Sequence, residues 1–326
     1  MIQRALLCTL LLLLAIGGSL GTACGADAPR KPMSVIIAVP ANRSPAFQRQ
    51  FTHDLGLLYT DVIPGDQVTV INASTLQVVE QVTIPADLGE SDNERDNALE
   101  ESFAPIFRFA NTSDSNEDMD NVHIPALERE IGHNVMPTID ARPVNVIVIG
   151  SIQWDEPRDA TWNFHQYFPS DFFLLQRGGS FGLAGDESSL TGTRVSILYT
   201  DKKSDFPWDG FRNDVIDFWR KSIKGRGGSI GEVAAYGEGS YQHFFATTED
   251  TRAATINVTA PMVLYAPGSV NVPVDRLGAN PLPPEKGQNN AHLDRRFSRR
   301  HGHNSHSSGT GGGAGHNRNG AGSVSG

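Results

Sequence analysis

Cysteine is nearly absent from this chain. Of 326 residues only Cys8 and Cys24 are cysteines, and both precede residue 27. From Met33 onward there is no thiol, which excludes a disulfide, a Cys-ligated zinc and a cysteine nucleophile from the body of the protein. Basic charge is also scarce. Lys and Arg total 27 against 37 Asp and Glu, for a net charge of −10. That balance excludes general nucleic-acid binding, which needs a basic face. Several signatures are missing as well. There is no H-E-x-x-H pair and no G-x-S-x-G elbow, and the acidic stretch 87–120 lacks the spacing of a calcium loop.

At the N-terminus, Arg4 precedes an apolar run from Ala5 to Ile16 and then small residues. The run is shorter than the roughly 20 residues that span a bilayer. Residues 1–26 are therefore expected to be a secretory signal peptide, with an uncleaved anchor as the alternative. Gly21-Thr22-Ala23-Cys24 resembles a bacterial lipobox, with Gly21 where leucine is usual. It makes Cys24 a candidate for lipidation, in competition with ordinary cleavage near Ala23 or Ala26. The protein is expected to be extracytoplasmic: periplasmic, surface-bound or secreted.

In the body, Met33–Val39, Val144–Ile149 and Arg194–Tyr199 are apolar runs without alternation, the pattern of strands covered on both faces. Ser44-Pro45 gives an N-cap and a proline at the first helical position, and Phe47, Phe51, Leu55, Leu58 and Val62 follow at helical spacing. Val68–Ile71 and Gln77–Ile84 flank a turn-like Asn72–Thr75 and predict a hairpin. Leu99, Phe103, Ile106 and Phe107 predict a helix disturbed by Pro105, preceded by a loop and helix cap over Leu88–Asn97. Asn111–Asp120 reads as a solvated acidic loop. Pro125–Ile131 reads as a short helix stopped by Gly132, and 155–190 as a loop-rich insertion packed down by its aromatics. Phe211, Val215, Trp219 and Ile223 predict a helix ended by Gly225, with the glycine-rich 225–231 as its cap. Ala254–Val258 and Met262–Tyr265 read as closing strands. The fold class is α/β: a Rossmann-like three-layer sandwich with a mostly parallel central sheet and helices on both faces. Residues 274–326, rich in Gly, His and Arg, cannot bury a core and are expected to be a disordered tail.

This order of elements resembles a von Willebrand factor A domain over residues 33–270. Ile63-Pro64-Gly65-Asp66-Gln67-Val68, Ile149-Gly150-Ser151, Tyr167–Asp171 and Phe218-Trp219 with the glycines of 225–228 resemble a bacterial subgroup of that family. The resemblance implies an adhesion site in which the first strand ends in D-x-S-x-S and a later aspartate completes a magnesium shell. In this sequence those positions hold Pro40, Asn42, Ser44 and Ser151, so both carboxylates are missing from them. The resemblance thus implies a domain without a functional metal site and without a cofactor, binding a protein partner through loops at the C-terminal edge of the sheet. Gln153 and Asp155 follow Ser151 at that same edge. Two alternatives stand beside this. One is an exported hydrolase working in a cleft near Ser44, Ser151 and Asp155. The other is a metal-handling protein using His301, His303 and His306 of the tail, whose imidazoles suit nickel, copper or zinc. The tail's arginines also offer a membrane contact in addition to Cys24.

Overall fold

A computed structural model describes residues 30–88, 91–116, 118–140, 142–154, 163–164, 167–177 and 179–263. The chain divides into two units, Met1–Asn280 and Pro281–Gly326, and the described residues all lie in the first. The expected signal peptide with Cys24, and the tail with His301, His303 and His306, fall outside them, as does Asp155.

Six strands form one sheet: β1 Ser34–Val39, β2 Gln67–Asn72, β3 Gln77–Thr83, β4 Val144–Gly150, β5 Thr193–Tyr199 and β6 Ser229–Ala235. Their order is β3-β2-β1-β4-β5-β6. All neighbours are parallel except the hairpin β2–β3. The helices are α1 Pro45–Asp61, α2 Asp92–Asn111, α3 Ile124–Glu130, α4 Phe172–Leu175 and α5 Asp209–Gly225. β1 is buried at every residue and sends its side chains both ways. Val35, Ile37 and Val39 meet Phe47, Phe51, Leu55 and Leu58 of α1 and Leu99, Phe103 and Ile106 of α2 in one core layer. Ile36 and Ala38 belong to the opposite layer, with Leu127 of α3 and Phe211, Val215, Phe218, Trp219 and Ile223 of α5. The fold is thus the expected α/β sandwich, mixed only through its antiparallel edge pair.

Four local expectations are corrected. First, the expected cap lies at Ser91, where it forms a capping box with Glu94, so α2 begins early in that stretch, at Asp92. It then runs unbroken through Pro105: the proline removes one backbone donor, but the fully buried Leu99, Phe103, Ile106 and Ala110 clamp the helix on both sides of it. Second, Gly132 does not stop a helix. The chain continues through a π turn, Ile131–Val135, and a 3₁₀ turn, Met136–Thr138. A Cβ at Gly132 would lie 2.5 Å from the Ser189 carbonyl oxygen, so the glycine serves the close approach of the insertion.

Third, the closing strand is β6, and residues 254–263 form no strand. The glycines of 225–231 hide it. Gly227 (φ +80°) ends α5 in a Schellman motif, with Gly227 N–H donating to Lys224 O and Gly228 N–H to Ile223 O, both at 3.0 Å. The strand starts at the next residue. By contrast Val258, in the expected strand, is 77% exposed. Fourth, Asp120 is not simply solvated, as described below. The described part of the insertion behaves as expected: Phe164, Phe173 and Phe181 are buried against Phe218 and Trp219.

Candidate functional site

At the C-terminal ends of the parallel strands a cleft of about 560 Å³ opens. Open α/β sheets place their ligands at this edge. Ser44, from the N-terminus of α1, and Ser151, just beyond β4, line it as expected, together with Asp120, Asp201, Lys202 and Tyr236.

The first-strand tip is closed by the protein itself. Arg43 is 3% exposed. Its guanidinium donates to Pro40 O and Phe109 O, each at 2.5 Å, and to Thr112 O. Burial lowers its pKa to about 10, with Asp120 acting in the opposite sense, so it is cationic at neutral pH. Asn42 Oδ1 accepts from the Ser113 hydroxyl at 3.0 Å, and Asn42 O accepts Asp120 N–H at 2.9 Å. A fixed guanidinium under the tip, a proline at the first position and an occupied carboxamide oxygen at the second do not fit a divalent cation. Among the described residues no three His, Cys, Asp or Glu side chains come together as a metal-binding group.

The cleft is nevertheless not poor in carboxylates. Asp120, at φ +58°, accepts Ser44 N–H at 3.1 Å through Oδ1, and its carbonyl accepts Ser151 N–H at 2.6 Å. It therefore joins the tips of β1 and β4, whereas Asp114 and Asp118 of the same loop are exposed as expected. Val122 follows closely: a Cβ added to Gly150 would meet its Cγ2 at 2.3 Å and the Asp120 carbonyl at 2.9 Å. Asp201, two residues past β5, accepts the Ser151 hydroxyl and Ile152 N–H, both at 2.7 Å. Burial raises both carboxyls above the usual range, and hydrogen bonds from Ser44 to Asp120 and from Ser151 to Asp201 offset part of that rise. Gln153 is buried behind the cleft wall, with Nε2 donating to Asp205 O at 3.0 Å.

A comparison of the chain with protein-family models and with curated proteins finds no match. What the site does must therefore be read from its own residues.

The third wall comes from α1 and the residue after β6. Phe47 and Tyr236 meet edge-on, with ring centres 5.3 Å apart. The Tyr236 hydroxyl donates to Asp54 Oδ2 at 2.7 Å and the Gln50 amide donates to Asp54 Oδ1 at 2.8 Å. Asp54 is 1% exposed. Burial raises its pKa and, with Asp54 beside it, raises that of the Tyr236 phenol.

Of the expected site residues, then, Ser44 and Ser151 reach the cleft. Pro40 and Asn42 are spent on the tip, and Gln153 supports the wall. Asp120, Asp201, Tyr236 and Asp54 were missed. Asp201 carried a usable signal, since it follows the apolar run Arg194–Tyr199 by the same logic that placed Ser151. Asp120 was hidden among five other acidic or amide residues of its loop.

Proposed function

We propose that this is an exported, non-enzymatic interaction module of von Willebrand A-like architecture, without a metal, that takes a basic segment of a partner protein into the cleft at the C-terminal edge of its sheet. The carrying observation is the charge of that cleft. Asp120, Asp201 and Asp205 line it against the single ammonium of Lys202. The strand order with its antiparallel edge hairpin supports the architecture. The buried Arg43 under the tip supports a metal-free mode of binding. The hydrolase alternative gains a hydroxyl–carboxylate pair, Ser151 and Asp201. That carboxylate also accepts from Ile152 N–H and Gln153, hydrogen bonds that offset part of the rise in its basicity caused by burial.

Calorimetry with a hexalysine and a hexaglutamate peptide tests the reading. Hexalysine is expected to bind, more weakly as salt rises. Because a net charge of −10 attracts any polycation, the deciding comparison is the double variant Asp120→Asn/Asp201→Asn. Hexalysine binding that survives in that variant would sink the proposal.

A further inference from the structure

The hydrogen atoms of two of the cleft's hydroxyl groups are already committed. Tyr236 gives its phenolic hydrogen to Asp54, and Ser151 gives its hydrogen to Asp201. A hydroxyl has one hydrogen and two lone pairs, so each of these oxygens can offer the cleft only an acceptor. Asp120 and Asp201 are acceptors in their ionised state as well. The polarity of the wall at Tyr236 is thus set from behind, by a carboxylate that does not line the cleft.

Asp54 is an unusual residue to find in that position. It is buried in the layer between α1 and the sheet, and its two hydrogen-bond donors, Gln50 and Tyr236, are both neutral and both line the cleft. An ionised carboxylate held only by neutral donors costs stability relative to an apolar residue of similar size. The cleft gains from it a tyrosine oxygen of fixed orientation beside the edge-on ring of Phe47.

We propose that Asp54 is a positioning residue for recognition: it fixes the Tyr236 hydroxyl as an acceptor, so that the cleft selects a donor-only group, the guanidinium of an arginine side chain on the partner. A guanidinium has five N–H donors in a planar fork and no acceptor, and it also packs against aromatic rings, as the Phe47–Tyr236 wall allows. Citrulline has nearly the same shape, but a carbonyl oxygen replaces one nitrogen, and that oxygen would face an acceptor. This inference rests on the cleft being the partner site.

The test uses the full chain and two glycine–serine peptides, identical except that one carries a single arginine and the other citrulline. The wild-type protein should bind the arginine peptide and discriminate against citrulline by roughly ten-fold or more, the scale of one hydrogen bond to a charged group. Asp54→Leu frees the Tyr236 hydrogen to turn into the cleft and should reduce that ratio several-fold. Asp54→Asn, which still offers an acceptor oxygen, should restore it. In a Tyr236→Phe background Asp54→Leu should leave the ratio unchanged, since the residue through which it acts is gone. An unchanged ratio in Asp54→Leu, or an equal fall in both backgrounds, would overturn the positioning role alone. No binding of the arginine peptide by the wild-type protein would overturn the cleft reading and this inference with it. Should Asp54→Leu fail to fold, Tyr236→Phe decides directly, because a retained ratio there removes Tyr236 from recognition.

Discussion

Two of the places where this protein buries charge do so in opposite ways. Between α3, the end of α5 and the insertion, Arg226 is fully buried and meets Glu128 at 2.7 Å and Asp186 at 2.9 Å. Arg129 and His133 complete the group from the rim, on Asp186. Burial pushes Asp186 up, but Arg129, His133 and Arg226 together hold it below the usual range. At the cleft side, Asp54 and Arg43 are just as buried but have neutral partners: a phenol and an amide for one, three backbone carbonyls for the other. The first arrangement ties the insertion to the helices and contains its own counter-charges. The second makes no direct ion pair, although Asp120 lies close enough to Arg43 for their charges to act on each other.

The largest effect should come from breaking the paired region. Arg226→Ala leaves Glu128 buried without a cation and should cost about 3–5 kcal/mol in urea unfolding. A loss below about 1 kcal/mol would erase the contrast. Arg43→Ala comes next. It strands three carbonyls at the first-strand tip, and a loss of about 2–3 kcal/mol is expected by the same measurement, with the cleft's peptide affinity lowered as Asp120 shifts.

A smaller effect concerns a half-buried carboxyl that Lys221 only partly offsets. Burial, then Asp217 one turn on, push Asp214 up to about 7. The unfolded chain releases this proton near pH ~3.9. The folded protein binds it more tightly, so stability falls as pH rises from about 4 to about 7 and stays level above that. Asp214→Asn should therefore do nothing at pH 3 and stabilise the protein at pH 8 by about 1 kcal/mol, a figure reduced for solvent screening. Stabilisation that is equal at both values would refute the assignment. The smallest stability change is expected from Asp54→Leu, within about 1 kcal/mol of wild type, because replacing an unpaired buried charge by an apolar side chain is often neutral. A loss as large as that of Arg226→Ala would make Asp54 a scaffold residue and dissolve the distinction between the two regions.

Much of the scaffold was legible in the sequence. Three apolar runs without alternation marked β1, β4 and β5, and Ser44-Pro45 with Phe47, Phe51, Leu55 and Leu58 marked α1. These are local patterns, and burial on both faces has a compositional signature. What escaped notice was non-local. β6 lay under glycines whose nearer purpose was capping α5. The reach of Pro105 depended on a clamp made by tertiary packing. The site was legible in place but not in content. Strand tips predicted Ser44 and Ser151, whereas Asp120 enters the cleft only because its loop is stitched to two tips at once. The hydrogen bond between Tyr236 and Asp54 spans 182 residues, and no spacing rule reaches that far.

Gly150 carries a consequence beyond packing. The missing methyl group at this one position lets Val122 and the Asp120 carbonyl lie directly on the end of β4. Position 150 is in effect a gauge for the width of the cleft mouth. Any side chain there must lift the loop that holds Asp120, which detaches it from Ser44 and Ser151 in one movement. A single hydrogen atom in place of a methyl group thus keeps two strand ends and one carboxylate at a common height.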